Sequence, residues 1–246
     1  MSQRDEEIAS ALAADLDALP RLNGFRLRGM EMTRLETFLD AAFAFAVTMM
    51  VIAAERVPDD IGTFLAAFKN VPAFVASVLV LGIFWRGHWL WSRRYGLEDA
   101  ISILISWGLL VTILIYIYPL KAIFGSMFNL LTDGRFGQPL GVRTLEQARS
   151  LFSIYATGFA AIAAEILLLY ARAWKLRDAL KLNERERYLT RAELSGWSIP
   201  LAVGIVALVL ANTLPASHIS WSGWIYFSLV FLVPLHRRLK RRPVRA

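Results

Sequence analysis

The chain has 246 residues, of which 57% are hydrophobic and 19% are charged, whereas soluble domains are usually about 45–50% apolar and about a quarter charged. It contains no cysteine, which excludes disulfides, a thiol nucleophile and a cysteine-type metal site. The net charge of +7 comes from Lys and Arg that cluster between apolar blocks and near the C-terminus. This pattern is typical of membrane topology and not of a nucleic-acid interface.

Six apolar blocks predict six transmembrane helices, because each approaches the roughly 17–25 residues that cross a bilayer. In lipid, backbone polar groups can be satisfied only inside a helix or a closed barrel, so we expect helices. The predicted fold class is an all-α membrane protein with a transmembrane domain at 34–235, after a cytoplasmic segment at 1–33 and before a basic cytoplasmic tail at 236–246. The six blocks are 38–54, 71–91, 100–128, 151–170, 197–214 and 219–235.

The distribution of Lys and Arg predicts that both termini lie in the cytoplasm. Most of these residues fall before the first block and after the second, fourth and sixth blocks, whereas the loop at 214–219 has none. Cytoplasmic segments carry the excess of positive charge, and six crossings return the chain to its starting side. The mixed charges after the fourth block also predict that its helix continues into the cytoplasm.

The segment before the first block has two interpretations. Residues 5–19 are rich in Ala, Leu and acidic side chains, which is compatible with a short amphipathic helix. Pro20 and Gly24 interrupt that pattern. A solvated, partly ordered tail is therefore the simpler interpretation.

The first span has a charged entrance followed by small and apolar residues. Arg34, Phe38 and Asp40 precede an alanine-rich run, and small residues permit close helix approach. An acid at the edge of an apolar helix needs a partner or water. Asp40 is either a helix-start acid stabilised by the helix dipole or a residue held by a neighbouring span.

The second span offers partners for Asp40. It runs from outside to inside, so Trp85 and His88 are predicted at a similar depth, and their spacing places them on one helix face. We hypothesise that the indole or the imidazole hydrogen-bonds to the start of the first span. The alternative is that both side chains face lipid headgroups.

Two of these motifs resemble those of a known family. The pattern Arg34-x-x-x-Phe38-Leu39-Asp40, followed by an apolar helix that contains a threonine, is similar to the Arg-x-x-x-Phe-Ser-Asp signature of the transmembrane protein 175 family of potassium channels. The Gly-Ile-Phe-Trp-x-x-His run from Gly82 to His88 resembles the second span of that family.

The resemblance implies a homotetramer of six-span subunits in a prokaryotic inner or plasma membrane, with potassium ions and the bilayer as partners and with no cofactor or nucleic acid. The first helix of each subunit would line a central pore with an apolar constriction in place of a backbone-carbonyl filter. The three signature residues Arg34, Phe38 and Asp40 would brace this helix against its neighbours. The matching pore-lining residues are Phe45, Thr48 and Ile52.

The chain departs from the family pattern at two positions. Leu39 stands where the signature has serine, so any hydrogen bond made by that serine is absent. Phe45 stands where the constriction usually has Ile or Leu. Four phenyl rings either close the pore more tightly or offer their π faces to a cation, and the sequence leaves both consequences open.

Glu165 is a further acid, and it lies inside the fourth apolar block. An intramembrane acid is a functional candidate by default. The simpler interpretation is a pair with a basic residue of the following cytoplasmic segment, where Arg172 lies on the same helix face.

The sequence has no signature of catalysis: no His-Glu-x-x-His, no phosphate-binding glycine loop and no serine nucleophile elbow. Its three histidines are on different spans or tails, which argues against a metal site. We predict a potassium channel and not an enzyme. Two alternatives stay open: a proton-coupled transporter with Asp40, His88 or Glu165 as a relay, although no inverted repeat is evident, and a non-conducting membrane scaffold.

Overall fold

The computed structural model describes residues 16, 18–52 and 60–240, and almost all of them that have regular structure are helical. A two-stranded antiparallel hairpin, β1 (Arg21–Leu22) and β2 (Phe25–Arg26), precedes the helices. The helices are α1 (Arg34–Ile52), α2 (Ile61–Phe68), α3 (Val71–Tyr95), α4 (Ala100–Leu131), α5 (Leu145–Lys175), α6 (Glu184–Thr213), α7 (Trp221–Trp224) and α8 (Leu229–Lys240), with short 3-10 helices at Ala216–His218 and Ile225–Ser228.

Five stretches of the described chain are long and apolar enough to cross a membrane, so the chain is a multi-pass membrane protein. They correspond to the second to sixth predicted blocks. The helix of the first block, α1, has 19 residues and is not among the five, and residues 53 and 54 of that block lie outside the described residues. Six spans with both termini in the cytoplasm therefore stay a prediction. The five stretches are Ile61–Tyr95, Ala100–Leu131, Leu145–Lys175, Glu184–Thr213 and Ala216–Lys240.

Polar caps, and not the ends of the apolar blocks, set the helix boundaries. The Thr144 hydroxyl accepts from the amide of Gln147 at the start of α5, and Asn183 forms a capping box with Glu186 at the start of α6. Between the two helices the chain turns, with Lys181 at φ 47°. The predicted continuation of the fourth span through this segment is therefore wrong, because the turn and the new cap start a separate helix.

The core is centred on α5, which packs against α4 on one side and α6 on the other. The side chains of Ile162, Ile166 and Leu169 are fully buried there. Small residues bring α5 and α6 close together, since a Cβ on Gly204 would lie 3.0 Å from the Cβ of Ala160. Such small-residue contacts are the usual means of helix packing in membranes, where apolar side chains gain nothing by leaving lipid.

The hairpin before α1 is packed against the end of the bundle where α3 ends and α6 begins, so the prediction of a solvated tail is wrong for this part of the segment. Phe25 is fully buried. Its ring meets Tyr95 edge-on at 5.3 Å between centroids, and the Arg94 guanidinium lies 5.1 Å from the ring centroid. The backbone of Arg28 passes against Gly96, the left-handed C-cap of α3. Residues 1–15, most of the predicted amphipathic helix, lie outside the described residues.

Two arginines of this segment converge on one buried carboxylate. Arg26 and Arg28 form ion pairs with Glu186 Oε2 at 2.8 and 2.9 Å, and the Glu186 side chain is fully buried. The amide of Arg26 also donates to Glu186 Oε1. The same carboxylate that caps α6 therefore holds the hairpin in place.

Candidate functional site

The start of α1 is fixed by a cap and an ion pair. The Thr33 hydroxyl accepts from the amide of Glu36 at 3.1 Å, which satisfies one of the free N–H groups of the first turn. The Glu36 carboxylate, buried in the same turn, lies 3.3 Å from Arg93 at the end of α3. Arg93 also donates to the carbonyls of Gly29 and Met30. These contacts tie the start of α1 to the C-terminal end of α3.

One face of α1 is buried inside the protomer. Leu39, Phe43, Ala46 and Met50 follow a helical spacing and are all buried. Leu39, at the position where the family signature has serine, is 1% exposed and belongs to the main apolar core. An apolar side chain at this position therefore supplies packing where a serine would supply a hydroxyl.

The opposite face of α1 is uncovered in the protomer and contains two of the three predicted pore-lining residues. Phe45 is 55% exposed, and Thr48 is exposed on the same stripe. The Thr48 hydroxyl donates to the carbonyl of Ala44 at 3.0 Å, so its oxygen keeps acceptor capacity. Ile52 is the last residue of α1, and its side chain lies outside the described part of the chain.

Asp40 has the indole partner that the hypothesis named. The Trp85 N–H donates to Asp40 Oδ1 at 2.8 Å, which joins α1 to α3. His88 lies elsewhere: it is 3% exposed and its Nε2 is 3.2 Å from Ser106 Oγ on α4. The two second-span residues therefore contact different helices, because three residues along a helix still separate their directions by about 60°.

The other two signature residues differ in their contacts. The Phe38 ring lies 5.4 Å from the Trp107 ring of α4 and is 48% exposed. Arg34 is exposed at the first residue of α1. Near the C-terminal end of α1, the Lys121 ammonium donates to the carbonyl of Met50. Phe38 and Asp40 thus have α4 and α3 as intraprotomer supports.

Glu165 is not paired with the basic segment, so that prediction is wrong. Its Oε1 accepts from the Thr112 hydroxyl of α4 at 2.8 Å. Arg172 pairs instead with Asp99, the N-cap of α4, at 2.9 Å. Although burial raises the pKa of Asp99, hydrogen bonds from Ser102 and Arg172 hold that pKa below its usual value.

The three residues of the proposed proton relay do not form a chain. Asp40, His88 and Glu165 have Trp85, Ser106 and Thr112 as their respective partners. Within the described residues, no group of three or more His, Asp or Glu side chains is placed to hold a metal ion.

Sequence reasoning missed the Glu36–Arg93 ion pair and the buried face of α1. The spacing of Leu39, Phe43, Ala46 and Met50 was a usable signal for that face. No local signal in the sequence indicated that Glu36 makes the buried ion pair at the start of α1. Its partner, Arg93, is at the end of α3, and only the packing of the two helices brings these residues together.

Comparisons with known proteins agree with this architecture. The family described as endosomal/lysosomal potassium channel TMEM175 matches residues 34–119, from α1 into α4. A potassium channel of Marivirga tractuosa is 30% identical over 233 residues, which cover 90% of this chain and 92% of that protein.

A solved structure has the same fold. A crystal structure of a variant of the potassium channel MtTMEM175, in complex with a nanobody–MBP fusion protein, aligns with a TM-score of 0.79 and 27% identity. The alignment covers 90% of this chain and 98% of the channel chain. Since the curated relative is 30% identical over nearly the full length of both proteins, the chain belongs to the TMEM175 family of potassium channels.

Proposed function

We propose that the chain is the subunit of a potassium-conducting membrane channel whose pore is lined by α1. The observation that carries this proposal is that the two faces of α1 lie in different environments. One face is fixed to α3 and α4 through buried apolar and polar contacts, while the stripe with Phe45 and Thr48 is left uncovered. In a homotetramer, four such stripes would surround a common axis.

In this assembly α1 also crosses the membrane, which brings the number of spans to six. Together with the five long apolar stretches it returns the chain to its starting side, so both termini are cytoplasmic. A prokaryotic inner or plasma membrane is the expected location, since the relative from Marivirga tractuosa is named a potassium channel.

Phe45 forms the narrowest ring of the proposed pore. A potassium ion passing it loses part of its hydration shell, and an apolar ring also gates by dewetting. The faces of the phenyl rings attract the cation electrostatically, which offsets part of the lost hydration energy. Thr48, and Ile52 at the end of α1, continue the lining toward the outside.

Asp40, Phe38 and Arg34 have supporting roles and do not bind the ion. The bond from Trp85 to Asp40 and the contact of Phe38 with Trp107 hold α1 between α3 and α4. Rotation of α1 about its axis would break both contacts, so they set which face meets the ions.

The test is ion flux from proteoliposomes that hold the purified oligomer and are loaded with potassium or with sodium. The wild-type protein should prefer potassium, and Phe45→Ala should raise flux and lower the preference, because the constriction is widened. Phe231→Ala is the matched control, since Phe231 is an exposed phenylalanine on α8. Unchanged flux and ion preference in Phe45→Ala would place the pore away from this stripe.

A further inference from the structure

Exposed cations from two helices lie without an acidic partner at the end of the bundle where α6 begins and α8 ends. They are Arg191 of α6 and Arg237 and Lys240 of α8, here called the basic corner, and none of them forms an ion pair within the described residues. The acid Glu193, next but one to Arg191 on α6, pairs instead with Arg94 of α3 at 2.9 Å. A local excess of positive charge of this kind attracts an anion.

Contacts between α6 and α8 bring these cations together. The Tyr188 hydroxyl donates to the carbonyl of Lys240 at 2.8 Å, and Ser195 Oγ lies 2.8 Å from His236 Nε2. Tyr188, Arg191 and Ser195 share one face of α6, because their spacing is three and then four residues. Arg191 therefore lies between the two contacts, alongside the end of α8.

Trp174 of α5 borders the basic corner. The Arg191 guanidinium lies 4.7 Å from the centroid of the Trp174 ring, and the Arg177 guanidinium lies 5.0 Å from it. The Trp174 side chain is half-buried, and its indole N–H makes no hydrogen bond within the described part of the chain. An indole donor therefore lies beside Arg191, and tryptophan is typical of the boundary between lipid tails and headgroups.

The depth of the basic corner matches that of lipid headgroups. Arg191 precedes the apolar run of α6, which begins at Trp197, by about 9 Å along the helix. Headgroups extend roughly 5–8 Å beyond the hydrocarbon on each side of a bilayer, and an arginine side chain spans the difference. On α8, the exposed apolar side chains of Phe231 and Leu235 lie immediately before Arg237 in the chain. Cationic surface and lipid-facing apolar surface are therefore continuous.

We propose that the basic corner binds the headgroup of an anionic phospholipid, with the phosphate against Arg191, Arg237 and Lys240. An acyl chain lies along the exposed apolar residues of α8. The charge identifies an anion as the ligand, and the apolar surface that adjoins it at this depth identifies a lipid and not a soluble phosphate. The Trp174 N–H is a further donor for the phosphate or ester oxygens. Under the topology proposed above, the lipid belongs to the cytoplasmic monolayer, where cations next to a span attract anionic lipids.

The test measures lipid binding to the purified protein by native mass spectrometry. The probe is phosphatidylglycerol, and phosphatidylcholine with the same acyl chains is the neutral comparison. The wild-type protein should prefer phosphatidylglycerol. Arg191→Gln should weaken that binding about fivefold, and Arg191→Gln combined with Lys240→Gln about twenty-five-fold, because each cation at a membrane surface contributes roughly this factor. Binding of phosphatidylcholine should stay unchanged.

The matched control combines Lys69→Gln with Arg135→Gln. These residues are two exposed cations at the opposite end of the bundle, before the start of α3 and after the end of α4. The control removes the same amount of charge and should leave phosphatidylglycerol binding unchanged. All variants should unfold at the wild-type temperature in neutral detergent, because the substituted side chains are exposed. Arg191→Lys should bind more tightly than Arg191→Gln, since it keeps the charge.

Several results would overturn the proposal. Equal binding of the two lipids would remove the anionic headgroup as the ligand. An equal loss in the control would show that total charge, and not the basic corner, sets the preference. Displacement of phosphatidylglycerol by inorganic phosphate would indicate a site for a soluble anion. A variant of the basic corner that no longer assembles, without any lipid preference in the wild-type protein, would assign this surface to a second copy of the chain.

Discussion

At the residue scale, the orientation of α1 depends on a few polar contacts near its N-terminal end. The Trp85 indole and the Asp40 carboxylate meet at 2.8 Å, and a hydrogen bond to a charged acceptor contributes more than one between neutral groups. Without this donor the Asp40 carboxylate would be unfavourable here, since an unpartnered acid at this depth in the membrane is costly. This hydrogen bond therefore gives the Asp40 carboxylate a donor and also fixes which face of α1 is exposed.

Trp85→Phe should destabilise the folded protein by about 1–3 kcal/mol, because it removes the indole N–H and leaves the Asp40 carboxylate without its donor. The measurement is thermal unfolding in detergent. Trp221→Phe is the control, since Trp221 is an exposed tryptophan on α7 whose indole N–H makes no hydrogen bond within the described residues. Combining Trp85→Phe with Asp40→Asn should cost less than the sum of the two changes. Additive losses would mean that the bond contributes little.

At the element scale, the hairpin of β1 and β2 is too short to be stable by itself, and its position is imposed by the bundle. Phe25 is buried beside the end of α3, and Glu186 at the start of α6 forms ion pairs with both Arg26 and Arg28. The segment thereby connects the chain before α1 to the start of α6. Arg93 connects this segment to α1, since it donates to the carbonyls of Gly29 and Met30 and pairs with Glu36.

Glu186→Ala should release the hairpin, because it removes the buried carboxylate that pairs with Arg26 and Arg28 and half of the α6 capping box. Breaking a buried ion pair from one side costs about 3–5 kcal/mol. We expect a lower unfolding temperature and faster proteolysis after Arg26 or Arg28. Glu184→Ala, an exposed acid in the same helical turn, is the control and should change neither. Equal protease resistance in both variants would contradict the role given to Glu186.

At the scale of the whole molecule, the question is whether α1 crosses the membrane. Five long apolar stretches alone would leave the two termini on opposite sides, whereas six spans return them to one side. The entrance of α1 carries three charged residues, Arg34, Glu36 and Asp40. In a channel this is expected of the helix that faces ions and a neighbouring subunit and not lipid.

Reporter fusions in a bacterial host decide this. Green fluorescent protein should fluoresce when fused before Met1 and also when fused after Ala246, because both ends are predicted in the cytoplasm. Alkaline phosphatase inserted at 132–144 should be active, since that loop is predicted outside. Fluorescence from one terminus alone would show an odd number of spans and would remove α1 from the membrane.

The sequence by itself determined the class of the molecule and much of its order. Long apolar blocks, the bias of Lys and Arg, and the motifs at Arg34–Asp40 and Gly82–His88 are local in the chain, and they were sufficient for a helical membrane protein of this channel family. Sequence also named Trp85, together with His88, as a candidate partner of Asp40, because depth in a bilayer can be counted along a helix; the structure selects Trp85.

Only the tertiary structure decided toward which neighbouring helix each side chain points. Matched depth does not distinguish the partners of His88 and Glu165, which turned out to be Ser106 and Thr112. The packing of Phe25 and the ion pairs of Glu186 join residues far apart in the chain. The rotation of each helix about its axis and the pairing of residues far apart in the chain depend on how whole helices pack against one another. Neither hydropathy nor the spacing of charges in the sequence determines that packing.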